Sequence, residues 1–171
     1  MELLERESML VALAEYAQTA RQGDGRLVLV TGESGIGKTA LIEAFESELT
    51  DARWLWGGCD DLVTPRPLGP LFDMAPQASA EFEALCESGA QRDKLFAGFA
   101  TEINSGDTLT VVVIEDVHWA DEATIDLLSF LGRRLSRMRA LVLVTFRDDE
   151  IGDDHRLRVV LGDLATQRST R

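Results

Sequence analysis

The sequence predicts an α/β fold, a parallel sheet of about four strands sandwiched between two layers of helices, on two observations. Short apolar runs alternate along the 171 residues with longer stretches of helical periodicity. Three of the four runs are apolar at nearly every position, as parallel strands buried on both faces must be. Composition agrees: 45% hydrophobic and 27% charged residues suffice for a self-contained core and exclude wholesale disorder.

Taken in order, Glu7 to Ala20 places Leu10, Leu13, Ala14 and Ala17 on one helical stripe. The first strand follows at Leu27 to Thr31, and Thr39 to Leu49 resumes helical spacing with Ile42, Phe45 and Leu49. Arg53 to Gly57 reads as a second strand. All four prolines fall within Pro65 to Pro76, a composition that predicts a surface loop with at most a short helix. Short helical patterns follow around Phe82 to Cys86 and Lys94 to Ile103, then a strand at Thr110 to Ile114. Thr124 to Met138 repeats helical spacing through Ile125, Leu128, Leu131, Leu135 and Met138. Arg133, Arg134, Arg137 and Arg139 read as the solvated end of that helix, where cations complement the helix dipole. The last strand is Leu141 to Thr145. Right-handed crossovers join such strands.

Function classes are narrowed by charge. Lys and Arg number 17 against 30 Asp and Glu, a net charge of −13, which repels a nucleic-acid backbone and argues against direct nucleic-acid binding by this chain. The acidic start MELLERESML lacks the basic and apolar regions of a signal peptide, and no run approaches the about 18 apolar residues of a membrane span. Cys59 and Cys86 stand alone, as small buried hydrophobes of a protein in a reducing, cytoplasmic compartment.

The first strand runs directly into GESGIGKT, which is Gly32, Glu33, Ser34, Gly35, Ile36, Gly37, Lys38 and Thr39, and a helix begins at once. This strand, loop and helix is the phosphate-binding P-loop arrangement. The glycines let the backbone approach phosphate oxygens, and the loop amides with the helix N-terminus point donors at the anion. Lys38 supplies a positive charge for the β- and γ-phosphates, and the Thr39 hydroxyl is placed to ligate magnesium. The predicted ligands are therefore a polyphosphate group with β- and γ-phosphates and Mg²⁺.

The strand Thr110 to Ile114 ends in Glu115 and Asp116, carboxylates at the edge where open α/β sheets bind ligands. One would hold magnesium and the other would orient or deprotonate water, with the division between them open. Asp121 and Glu122 read as helix caps. Arg147, just past the last strand, is placed either to reach a γ-phosphate or to pair with Asp148, Asp149 or Glu150. His118 and Trp119 read as packing residues and His155 as a solvated one.

LLERESML, LVTGESGIGKTALI, WLWGGCDDLVTPRPLGPLFDMA, VIEDVHWADEATIDLLSFLGRR and LVLVTFRDDE together resemble the ATPase domain of large bacterial LuxR-type transcriptional regulators. Those belong to the STAND class within the AAA+ and related P-loop ATPases. The resemblance implies a P-loop NTPase three-layer sandwich and a nucleotide-dependent switch that binds ATP with magnesium. It implies Lys38 and Thr39 as the Walker A pair and Glu115 and Asp116 as the Walker B pair, where the family commonly has Asp first. It further implies Arg147 as a sensor arginine and Arg6 as part of a strip near the adenine. It also implies a fifth strand, a helical lid and a DNA-binding region beyond the last residues, DLATQRSTR. The expectation is thus an ATPase core over residues 1–171 lacking those parts. Leu27 to Thr31 would then be an exposed sheet edge, prone to association with itself or with the remaining regulator parts. Two other classes stay open: a nucleotide-binding or interaction module without turnover, and a P-loop kinase acting on a small acceptor.

Overall fold

A computed structural model describes residues 3–152 and 155–171, with side chains from residue 6 onward. Met1, Glu2, Asp153 and Asp154, the last two in the acidic run before His155, lie outside the described residues. Four strands, β1 (Arg26–Thr31), β2 (Arg53–Gly58), β3 (Thr110–Glu115) and β4 (Ala140–Phe146), form one parallel sheet in the order β1-β4-β3-β2. Alternating strand residues feed two cores, because successive side chains point to opposite faces. Val28, Val111, Val113, Leu141 and Leu143 meet α1 (Leu3–Arg21) and α2 (Lys38–Glu48) on one face. Leu27, Leu55, Val112, Ile114, Val142 and Val144 meet the helices of the other. These are α3 (Gly69–Met74), α4 (Ala80–Glu87), α5 (Arg92–Ile103), α6 (Glu122–Gly132) and α7 (Arg156–Ala165). The predicted three-layer α/β sandwich is the observed fold.

Three local expectations are corrected. The proline block is not a surface loop: Leu68, Leu71, Met74 and Ala75 are buried within it. Pro70 and Pro76 fall in the first turns of α3 and of the 3₁₀ turn Ala75–Gln77, where a missing N–H costs nothing. The block covers the free edge of β2. The Gln77 side chain accepts from Trp56 N (2.9 Å) and donates to Trp56 O (2.8 Å), as a neighbouring strand would. A Cβ on Gly57 would lie 2.3 Å from Pro70 O, so only glycine admits this contact.

The helix expected over Thr124 to Met138 stops at Gly132 and resumes as a 3₁₀ turn at Leu135–Arg137. The stripe continues because Leu135 is buried, but the backbone turns where Gly132 lets Leu164 of α7 approach; a Cβ there would lie 2.2 Å from Leu164 Cδ2. Helix α7 itself was not foreseen, although Leu157, Val160 and Leu164 carry its buried stripe. His155 is its N-cap and not a free surface residue: Nδ1 accepts from Leu157 N at 3.1 Å. Past α7 the chain returns to the sheet, so the outer edge of β1 is not bare along Leu27–Leu29. Leu27 N donates to Ser169 O (2.8 Å), Arg171 N to Leu27 O (2.9 Å) and Leu29 N to Arg171 O (2.9 Å), a parallel bridge. Other expectations hold: Asp121 caps α6, accepting from Ala123 N (2.9 Å) and Thr124 N (3.4 Å), and both cysteines are buried and free. Burial beside Asp121, Asp116, Asp60 and Asp73 pushes the Cys59 thiol up to about 12, which makes it inert.

One polar cluster fastens α4 and α5 to the sheet. The buried Glu102 carboxylate accepts from Ser79 Oγ (2.6 Å), Ser79 N (3.0 Å) and Arg53 Nη1 (2.6 Å). Burial alone would raise its pKa; the Ser79 hydroxyl and amide and the Arg53 charge more than offset this and hold it below 4.5. A depressed carboxyl stabilises the fold fully above its unfolded pKa, and that contribution is lost as pH falls through the folded value. Urea unfolding at pH 7 and pH 4 is therefore expected to show a smaller acid-induced loss of stability for Glu102→Gln than for the wild type. An equal loss in both proteins would remove Glu102 from the acid response.

Candidate functional site

The strand order brings the candidate residues to one end of the sheet. Strand β4 lies between β1 and β3, with Thr31 level with Phe146 and Ile114 level with Val144. Beyond these C-terminal ends come the Gly32–Thr39 loop after β1, Glu115 and Asp116 at the end of β3, and Arg147 after β4. Arg147 therefore leaves the sheet between the loop and the acid pair.

Gly35 and Gly37 adopt φ of +75° and +93°, which other residues reach only with strain, whereas Gly32, at +157°, is closer to extended. Gly37 is the N-cap of α2 and provides no side chain to satisfy the first amides, which stay available to an anion. Glu33, Ser34, Gly35 and Ile36 are exposed at the loop's crest. Lys38 Nζ folds under them and donates to Gly32 O (2.7 Å) and Glu33 O (3.0 Å). An ammonium held by two carbonyls of the loop stands where phosphate oxygens can replace them.

Thr39 Oγ1 donates to Glu115 Oε1 at 2.5 Å, across 76 residues of sequence. This contact distinguishes the two acids, which the sequence could not. Glu115 shares a point with the hydroxyl, the oxygen-only chemistry that Mg²⁺ prefers. At Asp116 the backbone leaves the strand: it takes φ +56°, ψ +45°, the left-handed region, with Asp116 N donating to Thr145 Oγ1 at 3.0 Å. A non-glycine residue is held there only by its surroundings, and such strain clusters at functional sites. Thr145 is buried, and the sequence marked it only as the end of a strand.

Arg147 donates from Nη1 to Glu150 Oε1 and lies over the Trp119 ring, 5.3 Å from its centroid. Of the two placements the sequence left open, the acidic pairing is the one formed. His118 is fully buried beneath: Arg147 N donates to its Nδ1 (3.4 Å), and its Nε2 lies 3.3 Å from Glu150 Oε2, off the line of a hydrogen bond. Burial pushes the His118 pKa down, Asp116 and Glu150 oppose this, and Arg147 and Lys38 reinforce it. Arg147 beside it holds the Glu150 carboxyl below the usual range. His118 is a packing residue, as expected, and one that fixes the Arg147 backbone.

Beside the loop a cleft of roughly 310 Å³ opens between α1 and β1, lined by Met9, Leu13, Tyr16, Val30, Ile36 and Lys38. Its size and apolar walls suit a small ligand's flat ring. Arg6, which does not line this cleft, donates from Nη2 to Ala40 O (2.8 Å), bracing α1 against the first turn of α2. The helix spacing alone gives no sign of the cleft, since Met9 lies outside the stripe of Leu10, Leu13, Ala14 and Ala17 and Ile36 belongs to the loop.

Residues 2–144 match the family model for the AAA ATPase domain. No curated protein matches the chain. Several solved structures share its fold. A chain in a structure of Drosophila ORC bound to DNA is 12% identical with a TM-score of 0.55, covering 98% of this chain and 87% of that one. Cdc6p from Pyrobaculum aerophilum is 18% identical with a TM-score of 0.56, covering 99% and 45%. The Aeropyrum pernix ORC2 protein, in ADPNP and ADP complexes, is 18% identical with a TM-score of 0.58, covering 95% and 44%. The chain thus spans less than half the length of the latter two.

Proposed function

Because the chain belongs to the AAA ATPase domain family, we propose that it binds ATP and ADP at the Gly32–Thr39 loop and hydrolyses ATP slowly with Mg²⁺. The observation that carries this reading is the Thr39–Glu115 contact, which joins the loop to the acid pair at one point. Lys38 and the free amides of α2 bind and neutralise the phosphates, and the cleft between α1 and β1 takes the base. Thr39 and Glu115 would hold Mg²⁺, which supplies charge neutralisation on the phosphates. Asp116, turned off the strand axis, orients the water for in-line attack and accepts its proton. Arg147 senses the γ-phosphate.

The module's role is a nucleotide switch in a cytoplasmic, bacterial regulator of the LuxR-type STAND class, on the strength of the sequence resemblance. Its partners are nucleotide and protein; the net charge of −13 speaks against nucleic acid as a direct partner. Binding without turnover is the second reading, favoured by the commitment of Arg147 to Glu150.

Calorimetric titration with ATP, with and without Mg²⁺, tests the reading. Mg²⁺ is expected to tighten ATP binding about tenfold in the wild type and not in Thr39→Ala. Phosphate release is expected to fall to background in Asp116→Asn. Wild-type release at the level of that variant would leave binding alone, and metal-independent affinity would reject the assignment of Thr39 and Glu115.

A further inference from the structure

Arg147, the candidate γ-phosphate sensor, is held by a neighbouring carboxylate. The Glu150 carboxylate takes an Arg147 N–H on Oε1 and faces buried His118 Nε2 with Oε2. The side chains of Arg147 and Glu150 are 23% and 35% exposed, so the pair is neither buried beyond exchange nor lost in solvent. Glu150 also sits on a fixed turn. The adjoining Ile151 is buried, and Arg158 of α7 donates from Nη2 to Ile151 O at 2.7 Å. The turn Asp148–Glu150 is thereby tied to the helical layer, and the carboxylate is presented to Arg147 instead of wandering.

Resting on the nucleotide-binding reading above, we propose that Glu150 sets the discrimination between nucleoside triphosphate and diphosphate by competing with the γ-phosphate for Arg147. Glu150 engages Nη1 and holds the guanidinium over Trp119, so part of the charge and one of the donors that a terminal phosphate would draw on are already committed to the carboxylate. Binding a triphosphate then includes the cost of weakening the Arg147–Glu150 pair. A diphosphate has no group that calls Arg147 away, and leaves the pair intact. Glu150 thereby narrows the preference for ATP over ADP, which suits a switch that must let go of ATP-bound geometry after hydrolysis. The alternative physical role is preorganisation: Glu150 would hold Arg147 ready for the phosphate, and its loss would weaken triphosphate binding. The two roles predict opposite signs.

Calorimetry on the full chain with Mg²⁺ measures Kd for ADP and for the non-hydrolysable triphosphate ADPNP. The wild type, Glu150→Gln, Arg147→Ala and the double variant are compared. In Glu150→Gln the ratio of ADP to ADPNP Kd is expected to rise about two- to fivefold, the worth of a partly exposed ion pair, with ADP affinity unchanged. Arg147→Ala is expected to lower the ratio, and adding Glu150→Gln to it to change nothing further. Glu150→Asp, which keeps the charge but withdraws it by one methylene, is expected to fall between wild type and Glu150→Gln and guards against misfolding of the amide variant. A ratio that is unchanged or falls in Glu150→Gln, or a rise that survives in the Arg147→Ala background, overturns the competition. Absence of saturable binding of either nucleotide to the wild type is a different failure, and overturns the nucleotide-binding reading itself.

Discussion

Lys38→Ala is expected to weaken ATP binding by about ten- to a hundredfold and to bring phosphate release to background, with the fold intact. The magnitude follows from removing one charged donor to phosphate, about 1.5–3 kcal/mol. The loop amides and the α2 N-terminus remain and account for the residual affinity. Folding is spared because, among the described residues, Lys38 Nζ bonds only to Gly32 O and Glu33 O, which water can satisfy in this loop. Calorimetric titration with ATP, beside a thermal melt, checks both halves. Unchanged affinity in a folded variant would mean that the phosphates bind elsewhere.

The largest effect on stability is expected from Phe99→Ala, which should lower the unfolding free energy by about 3–5 kcal/mol. Phe99 is 0% exposed, its ring lies 5.5 Å from that of Phe82, and it joins α5 to the core shared with α4 and β3. Deleting the ring loses its transfer free energy and leaves a cavity that helices braced by Glu102 cannot close. On an ordinary domain's stability of about 5–15 kcal/mol this is a large fraction, visible as a lower urea midpoint with unchanged slope. A loss below about 1 kcal/mol would show that the α4–α5 segment does not pack on the sheet as described. The P-loop helix α2 packs on the opposite face, so nucleotide affinity of the folded variant at low temperature is expected to match the wild type.

The legible elements were those with a local physical signature. Runs such as Thr110–Ile114 are apolar at almost every position because both faces are buried, and the glycines of the loop are demanded by its own backbone. The prolines misled because a proline in a first helical turn and one in a loop look alike in sequence; only the packing of Leu71 and Met74 against the sheet separates them. The stripe through Leu135 ran past a break at Gly132 because burial continued while the hydrogen-bond ladder did not. Helix α7 did carry a readable stripe.

By itself the sequence determined the parallel α/β sandwich and the glycine-rich loop between its first strand and the helix after it, and it named Glu115, Asp116 and Arg147 as residues at strand ends. Each rests on interactions within a few residues of the chain, which spacing records. Tertiary structure alone decided which acid faces Thr39, that Asp116 N donates to Thr145, and that Arg147 is held by Glu150 over Trp119. The strand order β1-β4-β3-β2 brings those groups together from distant parts of the chain, and a contact between distant parts leaves no periodicity to read.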